Sequence, residues 1–424
     1  MKKNYKLVFL ILLTFFVISF LTNILGPIIP DIIDSFHLNL TLVSLLPFSF
    51  FLAYGVMSIP SGMCIERFKE KPVLNTAFFI SFLGAFIFAL FPTYLISMLS
   101  LFMIGTGMTM LQVALNPLMR VAGGEEHFAF NMVLVQLVFG SASYISPRVY
   151  SYLVTNLSEG SENSSILITF LSKVVPPDMP WVSIYWIFTF VSLVMLVIMA
   201  WTKLPEVQLK EDERVGAWET NMILLKNRTV ILFFIGILAY VGTEQGIANW
   251  ISKFLAVYHE FDPHLTGSKA VSWFWGLFTA GTVLGLILLK IFDSRTVLIM
   301  FSIGAVSCLT AALIGPSQVS LIAFPLVGFF ASSMWSIIFS LGLNSLEQHH
   351  GAFSGILCTG IAGGAVIPLI IGALGDLFGL RFGLMFLYLT LGYIFCMGFW
   401  AKPIVTNETL FTKRKRNSTI HTKT

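Results

Sequence analysis

The sequence predicts an all-α integral membrane protein: twelve transmembrane helices in two pseudo-symmetric six-helix bundles. Three observations lead there. The 424 residues are 56% hydrophobic and only 11% charged, with a mean hydropathy of +0.86, whereas a soluble domain carries about 25% charged residues to keep its surface wet. The apolar residues form continuous runs rather than alternating ones, and in lipid only helices or closed barrels satisfy every backbone group. Lys and Arg gather at alternate ends of those runs, as orientation in a membrane requires.

Each run is long enough to be a crossing, which needs about 20 residues. The first, 7–29, follows Lys2, Lys3 and Lys6 and has no small-residue cleavage site, so it is read as a helix and not as a removable signal. Runs at 43–64, 73–91, 96–119, 129–149 and 181–204 follow. Residues 205–228 (PEVQLKEDERVGAWETNMILLKNR) are the longest charged stretch outside the tail. Beyond them come runs at 229–250, 271–292, 297–314, 321–343, 353–374 and 382–400. The predicted organisation is therefore an N-terminal six-helix lobe (1–204), a cytoplasmic linker (205–228), a C-terminal six-helix lobe (229–400) and a basic cytoplasmic tail (401–424). With the amino terminus inside, twenty of the twenty-five Lys and Arg face the cytoplasm, leaving Arg148, Lys173, Lys253, Lys269 and Arg381 outside. Both termini are expected in the cytoplasm and the protein in the cell's inner membrane.

Composition also excludes functions. A net charge of +4, much of it from Lys413 to Arg416, is too small to argue for nucleic acid. There is no Walker-type phosphate loop, zinc-binding His pair or nucleophile motif, so neither an enzyme nor an ATP-driven pump is expected. His349 and His350 sit in a predicted cytoplasmic loop, where solvation is expected. Cys64, Cys308, Cys358 and Cys396 lie far apart in apolar runs and read as buried thiols. The expected partners are membrane lipid and a small solute, and a monomer is expected.

The halves echo each other. Gly62 precedes Glu66, Arg67, Lys69, Glu70 and Lys71 after the second run, and Gly285 precedes Lys290, Asp293 and Arg295 after the eighth. A small residue for close helix approach, followed by an acid and a base, suits a breakable charge latch; Glu66 with Arg67, and Asp293 with Arg295, are its candidates. The first string resembles the cytoplasmic loop signature of the major facilitator superfamily. Gly105-Thr-Gly-Met-Thr-Met-Leu-Gln112-Val-Ala-Leu-Asn116-Pro117, Tyr240-Val-Gly242-Thr-Glu244-Gln-Gly-Ile-Ala-Asn-Trp250 and Gly363-Gly364-Ala-Val-Ile-Pro368-Leu-Ile-Ile-Gly372-Ala-Leu-Gly-Asp376 resemble helices four, seven and eleven of its fucose:proton symporter family. The resemblance covers about Asn23 to Gly379. It implies a secondary active transporter for a small polar solute, a monosaccharide first, working by alternating access with ion-coupled uptake.

Departures from that family are specific. Where the resemblance implies proton-carrying carboxylates in helices one and four, this chain has Gly26 and Gln112. Asn131 and Thr282 stand near positions where the family has Arg. Helix five reads Gly140-Ser-Ala-Ser-Tyr-Ile-Ser-Pro147, without the repeated glycines of the superfamily's antiporters. Uptake is favoured; an exporter of drugs or organic anions, and a transport-inactive receptor or scaffold, are the alternatives.

Polar residues at mid-depth are the candidates for solute contact, because unpaired polar groups are costly in hydrocarbon. They are Asn23, Gln112, Asn116, Gln136, Tyr240, Gln245 and Asn249, with Trp335 as a face for a sugar ring. Gln112 with Asn116, and Gln245 with Asn249, are four apart and share a helix face. Amides suit neighbouring sugar hydroxyls because each supplies donors and an acceptor; they also serve as glue between helices, and residue type leaves both open. Glu244, between Gly242 and Gly246, is the ion-coupling candidate, with H+ or Na+ as the ion and no other cofactor or metal expected. A structural ion pair is its alternative. Arg148 is expected to pair with Asp31 or Asp34 as an external latch, the alternative being attraction of an anionic solute. Trp250, Trp273 and Trp275 are expected in an interfacial aromatic belt.

Overall fold

The computed structural model describes residues 5–123, 128–159, 165–204, 222–346, 348 and 350–404, and among them there is no strand. The first half holds α1 (Tyr5–Thr22), α2 (Leu25–Phe36), α3 (Leu40–Phe68), α4 (Glu70–Leu90), α5 (Tyr94–Gly123), α6 (Phe128–Glu159), α7 (Ile166–Val174) and α8 (Ser183–Trp201). The second half holds α9 (Arg228–His259), α10 (Ser268–Ile291), α11 (Ser294–Ile314), α12 (Ser317–Ala331), α13 (Met334–Leu343), α14 (His350–Thr359), α15 (Gly363–Phe378), α16 (Leu380–Met385) and α17 (Leu387–Trp400). Among the described residues, eleven helical stretches are long and apolar enough to cross a membrane. Helix α6, 32 residues long, occupies the remaining predicted crossing.

Some helices outrun their apolar runs because a polar cap, and not hydropathy, sets where they start. Asn39 accepts a hydrogen bond from the Leu42 N–H at 2.8 Å and starts α3 ahead of its apolar run. Asp293 does the same for α11 through the Arg295 N–H at 2.9 Å. Most of the linker and tail, and His349, lie outside the described residues. Helix α7 is not foreseen by the apolar runs; it starts on the Ser165 cap and exposes Ile166, Leu167 and Phe170.

Several crossings are interrupted: at Asn23 and Ile24 between α1 and α2, at Ser332 and Ser333 between α12 and α13, and in a 3-10 turn over Gly360–Ala362. Helices run on through Pro147 and Pro368. Broken helices are tolerated at membrane depth where protein and not lipid surrounds them.

Within the first half α1 packs on α5 and α6, α3 and α4 on α5, and α4 on α8; within the second, α10 and α11 pack on α12, and α9 on α15 and α17. The halves meet along α3 with α15, α6 with α10, and α2 with α9. Two expectations change here. Trp250 and Trp275 are 1% exposed, inside the protein and not in an interfacial belt, while Trp273 is half exposed. Their apolar surroundings in α9 and α10 read equally as lipid or as packed helix, which residue type alone does not separate. The thiols of Cys64, Cys308 and Cys358 are only partly buried and Cys396 is exposed, because apolar runs have a lipid-facing side.

Candidate functional site

Helix α9 carries Tyr240 and Glu244 one turn apart, hence on one face. The Tyr240 hydroxyl donates to Glu244 Oε2 at 2.5 Å, and Gln245 Nε2 donates to Glu244 Oε1 at 3.1 Å. The same Gln245 amide also donates to Asn23 Oδ1, at 3.4 Å, in the other half. Asn23 sits at the interruption between α1 and α2, where its side chain is free of regular helix, and its Nδ2 donates to Ser143 Oγ of α6 at 2.8 Å. Ser19 and Ser143 share a hydrogen bond at 2.6 Å, and Ser19 is also tied to the Phe139 carbonyl. One hydrogen-bonded chain therefore runs from α9 through α1 to α6 and crosses the boundary between halves.

Asn23, Tyr240, Gln245 and Asn249 are buried, and Glu244 is half-buried. No described basic residue lies within ion-pair distance of Glu244; elsewhere Asp31 contacts the His264 imidazole and Asp293 pairs with Arg295. Its described contacts are neutral donors, so both carboxylate oxygens of Glu244 accept hydrogen bonds without a counter-charge beside them. The Trp335 ring lies 6.1 Å from that of Tyr240, just past the Ser332–Ser333 interruption. Gln112 and Gln136 are half-buried, and neither makes a hydrogen bond to another described residue. Asn249 Nδ2 is buried without a hydrogen-bond partner among the described residues. The Asn116 side chain lies outside the described residues.

Position 26 is explained by contact. A Cβ on Gly26 would fall on the Ala248 carbonyl oxygen and lie 3.2 Å from Asn249 Cα. The backbone of α2 thus touches that of α9, which leaves no room for a side chain at Gly26. The carboxylate of this site is instead on the other half, at Glu244, one turn before Ala248.

The latch residues are arranged differently from expectation. Asp31 and Arg148 do not pair: Asp31 Oδ1 lies 3.4 Å from His264 Nε2. Arg148 Nε donates to Ser272 Oγ at 3.1 Å, and its guanidinium carbon lies 4.2 Å from the Tyr144 ring. The reason is helix adjacency, since α2 faces α9 and the turn after it while α6 faces α10. Both contacts still bridge the halves. Asp293 and Arg295 pair at 3.0 Å within one turn and cap α11, so that pair is local and does not join two helices. Arg67 lies over the Phe68 ring at 5.3 Å, next to Glu66 at the end of α3. Sequence reasoning passed over Ser19 and Ser143. Their signal was present in the three- and four-residue spacing of Ser19 with Asn23 and of Ser143 with Ser146 and Pro147.

Two helical halves around a polar chain that bridges them define a membrane carrier, not an enzyme. The chain belongs to the Major Facilitator Superfamily, whose family model matches residues 11–367. It is 28% identical over 403 residues, 93% of each chain, to the glucose/galactose transporter of Brucella abortus (biovar 1, strain 9-941). It is 26% identical over 400 residues, 89% of each chain, to the L-fucose-proton symporter of Escherichia coli K12. In fold it resembles the crystal structure of the E. coli fucose:proton symporter, with a TM-score of 0.66 and 22% identity over 93% of this chain and 98% of that one. It also resembles a bacterial homologue of the lysosomal transporter Spinster, in an inward-facing and unoccupied conformation, with a TM-score of 0.75 and 13% identity over 93% and 96% of the two chains.

Proposed function

We propose that this protein takes up a monosaccharide across the inner membrane of a bacterium by alternating access, with both termini in the cytoplasm and uptake driven by an ion at Glu244. The observation that carries the proposal is the hydrogen-bonded chain Tyr240–Glu244–Gln245–Asn23–Ser143, which spans both halves. The sugar-transporting names of its relatives support the solute class. The proton is the preferred ion. A buried carboxyl group can take up and release a proton with no further ligands, whereas a Na+ ion would need several oxygen acceptors around it.

A sugar at this site is expected to meet the amides of Gln112 and Gln136 and the aromatic faces of Tyr240 and Trp335, whose rings lie 6.1 Å apart. Each neutral hydrogen bond is worth about 0.5–1.5 kcal/mol, so Gln112→Ala and Gln136→Ala are each expected to weaken sugar binding roughly two- to twelvefold. Sugar-dependent thermal stabilisation of the purified variants measures this. The function itself is tested by counterflow of labelled glucose, galactose and fucose in proteoliposomes. Saturable counterflow of at least one is expected; no hexose counterflow together with export of a lipophilic cation would overturn the proposal.

A further inference from the structure

Asp376, at the end of α15 in the second half, sits on the amino terminus of α3 in the first half. Its Oδ1 accepts from the Leu40 N–H at 2.8 Å, and its Oδ2 accepts from the Thr41 N–H at 2.8 Å and from the Thr41 hydroxyl. The first N–H groups of a helix have no partner within it and carry its positive end. Asn39 in the same half satisfies Leu42, so the two donors before it depend on a carboxylate from across the boundary.

The approach is built in. A Cβ on Gly372 would meet Ser44 Oγ and lie 2.6 Å from the Leu40 carbonyl oxygen, and one on Gly375 would lie 2.8 Å from Leu40 Cδ1. These two glycines let α15 lie against the first turn of α3, which brings Asp376 within reach. The first turn is fixed from its own side by Tyr94, whose hydroxyl donates to the Leu42 carbonyl at 2.7 Å. The contact lies at the end assigned to the outside, the same end as the Asp31–His264 and Arg148–Ser272 contacts.

We propose that Asp376 is an outer latch: a helix cap shared between the two halves, made when the outer end is closed and broken when it opens. In the open state the Leu40 and Thr41 N–H groups and the carboxylate return to water. The carboxylate thereby sets the balance between outward- and inward-open forms, whichever solute is carried.

The test is pulsed electron paramagnetic resonance on the full chain in lipid, on a background with the four native cysteines replaced. One label pair, at Leu95 and Ile314 (76% and 69% exposed), reports the outer end; a second, at Trp201 and Phe399 (85% and 63% exposed), reports the inner end. Asp376→Asn is expected to raise the fraction with a long outer distance about fivefold or more. The inner pair should shorten in step, which a merely loosened helix would not produce. Thr41→Val, which removes only the hydroxyl, should move both pairs the same way by less, and it serves alone if Asp376→Asn does not fold. Unchanged outer and inner distances in the folded variants would overturn the latch, as would outer lengthening without inner shortening. Because the readout needs no solute, its failure is distinct from failure of the sugar proposal.

Discussion

Glu244→Gln is expected to abolish ion-driven accumulation of the sugar while sparing exchange of labelled for unlabelled sugar. The change keeps the length and planarity of the side chain, and its carbonyl oxygen still accepts from Tyr240 or Gln245, so the neutral state of the site is preserved. What disappears is the ability to carry a charge on one leg of the cycle and none on the other. A gradient of one pH unit supplies about 1.4 kcal/mol per proton, enough to sustain about a tenfold accumulation at one proton per sugar. That factor should fall to about one in the variant. Uptake into proteoliposomes under an imposed pH gradient, compared with an imposed Na+ gradient, measures it. Undiminished accumulation would remove Glu244 from coupling, and accumulation that follows Na+ alone would replace the proton.

The second large effect is expected at Gly26. Its hypothetical Cβ meets backbone on α9, at the Ala248 carbonyl and Asn249 Cα, and backbone cannot rotate away as a side chain can. Overpacking of this kind costs about 1–3 kcal/mol. Because α2 and α9 belong to different halves, that cost falls on the form in which their outer ends meet, and hardly at all on the separated form. A bias of this size shifts a two-state population about five- to 150-fold. Gly26→Ala should therefore slow transport about tenfold or more and leave the protein folded, with its outer end open. Reagent access to an outer-cavity cysteine, compared with unaltered protein, checks it; normal transport would show that the contact yields.

Much of the fold was legible because its cause is composition. Runs such as 43–64 and 297–314 cannot be placed in water. Helix limits were less legible because Asn39 and Asp293 extend helices beyond the apolar residues. The polar cluster was legible on α9, where a carboxylate between glycines stands out against its surroundings. It was less so on α1 and α6, since Ser19 and Ser143 are abundant small residues whose meaning arises only when their helices are side by side. Pairing across halves was the least legible. Asp31 and Arg148 are complementary in charge and at the same depth, yet each faces a different helix, a consequence of three-dimensional adjacency that residue spacing does not encode. Gly26 shows the same point: it reads as a lost carboxylate in sequence and as a backbone contact in space.

The central claim is that the polar chain between the halves meets solute from each side of the membrane in turn. Labelling of a cysteine placed at Gln112, in a background without the native thiols, tests it most directly. An impermeant thiol reagent should reach the position when added to either face of oriented vesicles, at rates that shift in opposite directions when Asp376 or Gly26 is altered, and saturating sugar should slow both. Labelling from one face only, or from neither, with no opposite shift in those variants, would contradict alternating access to this site.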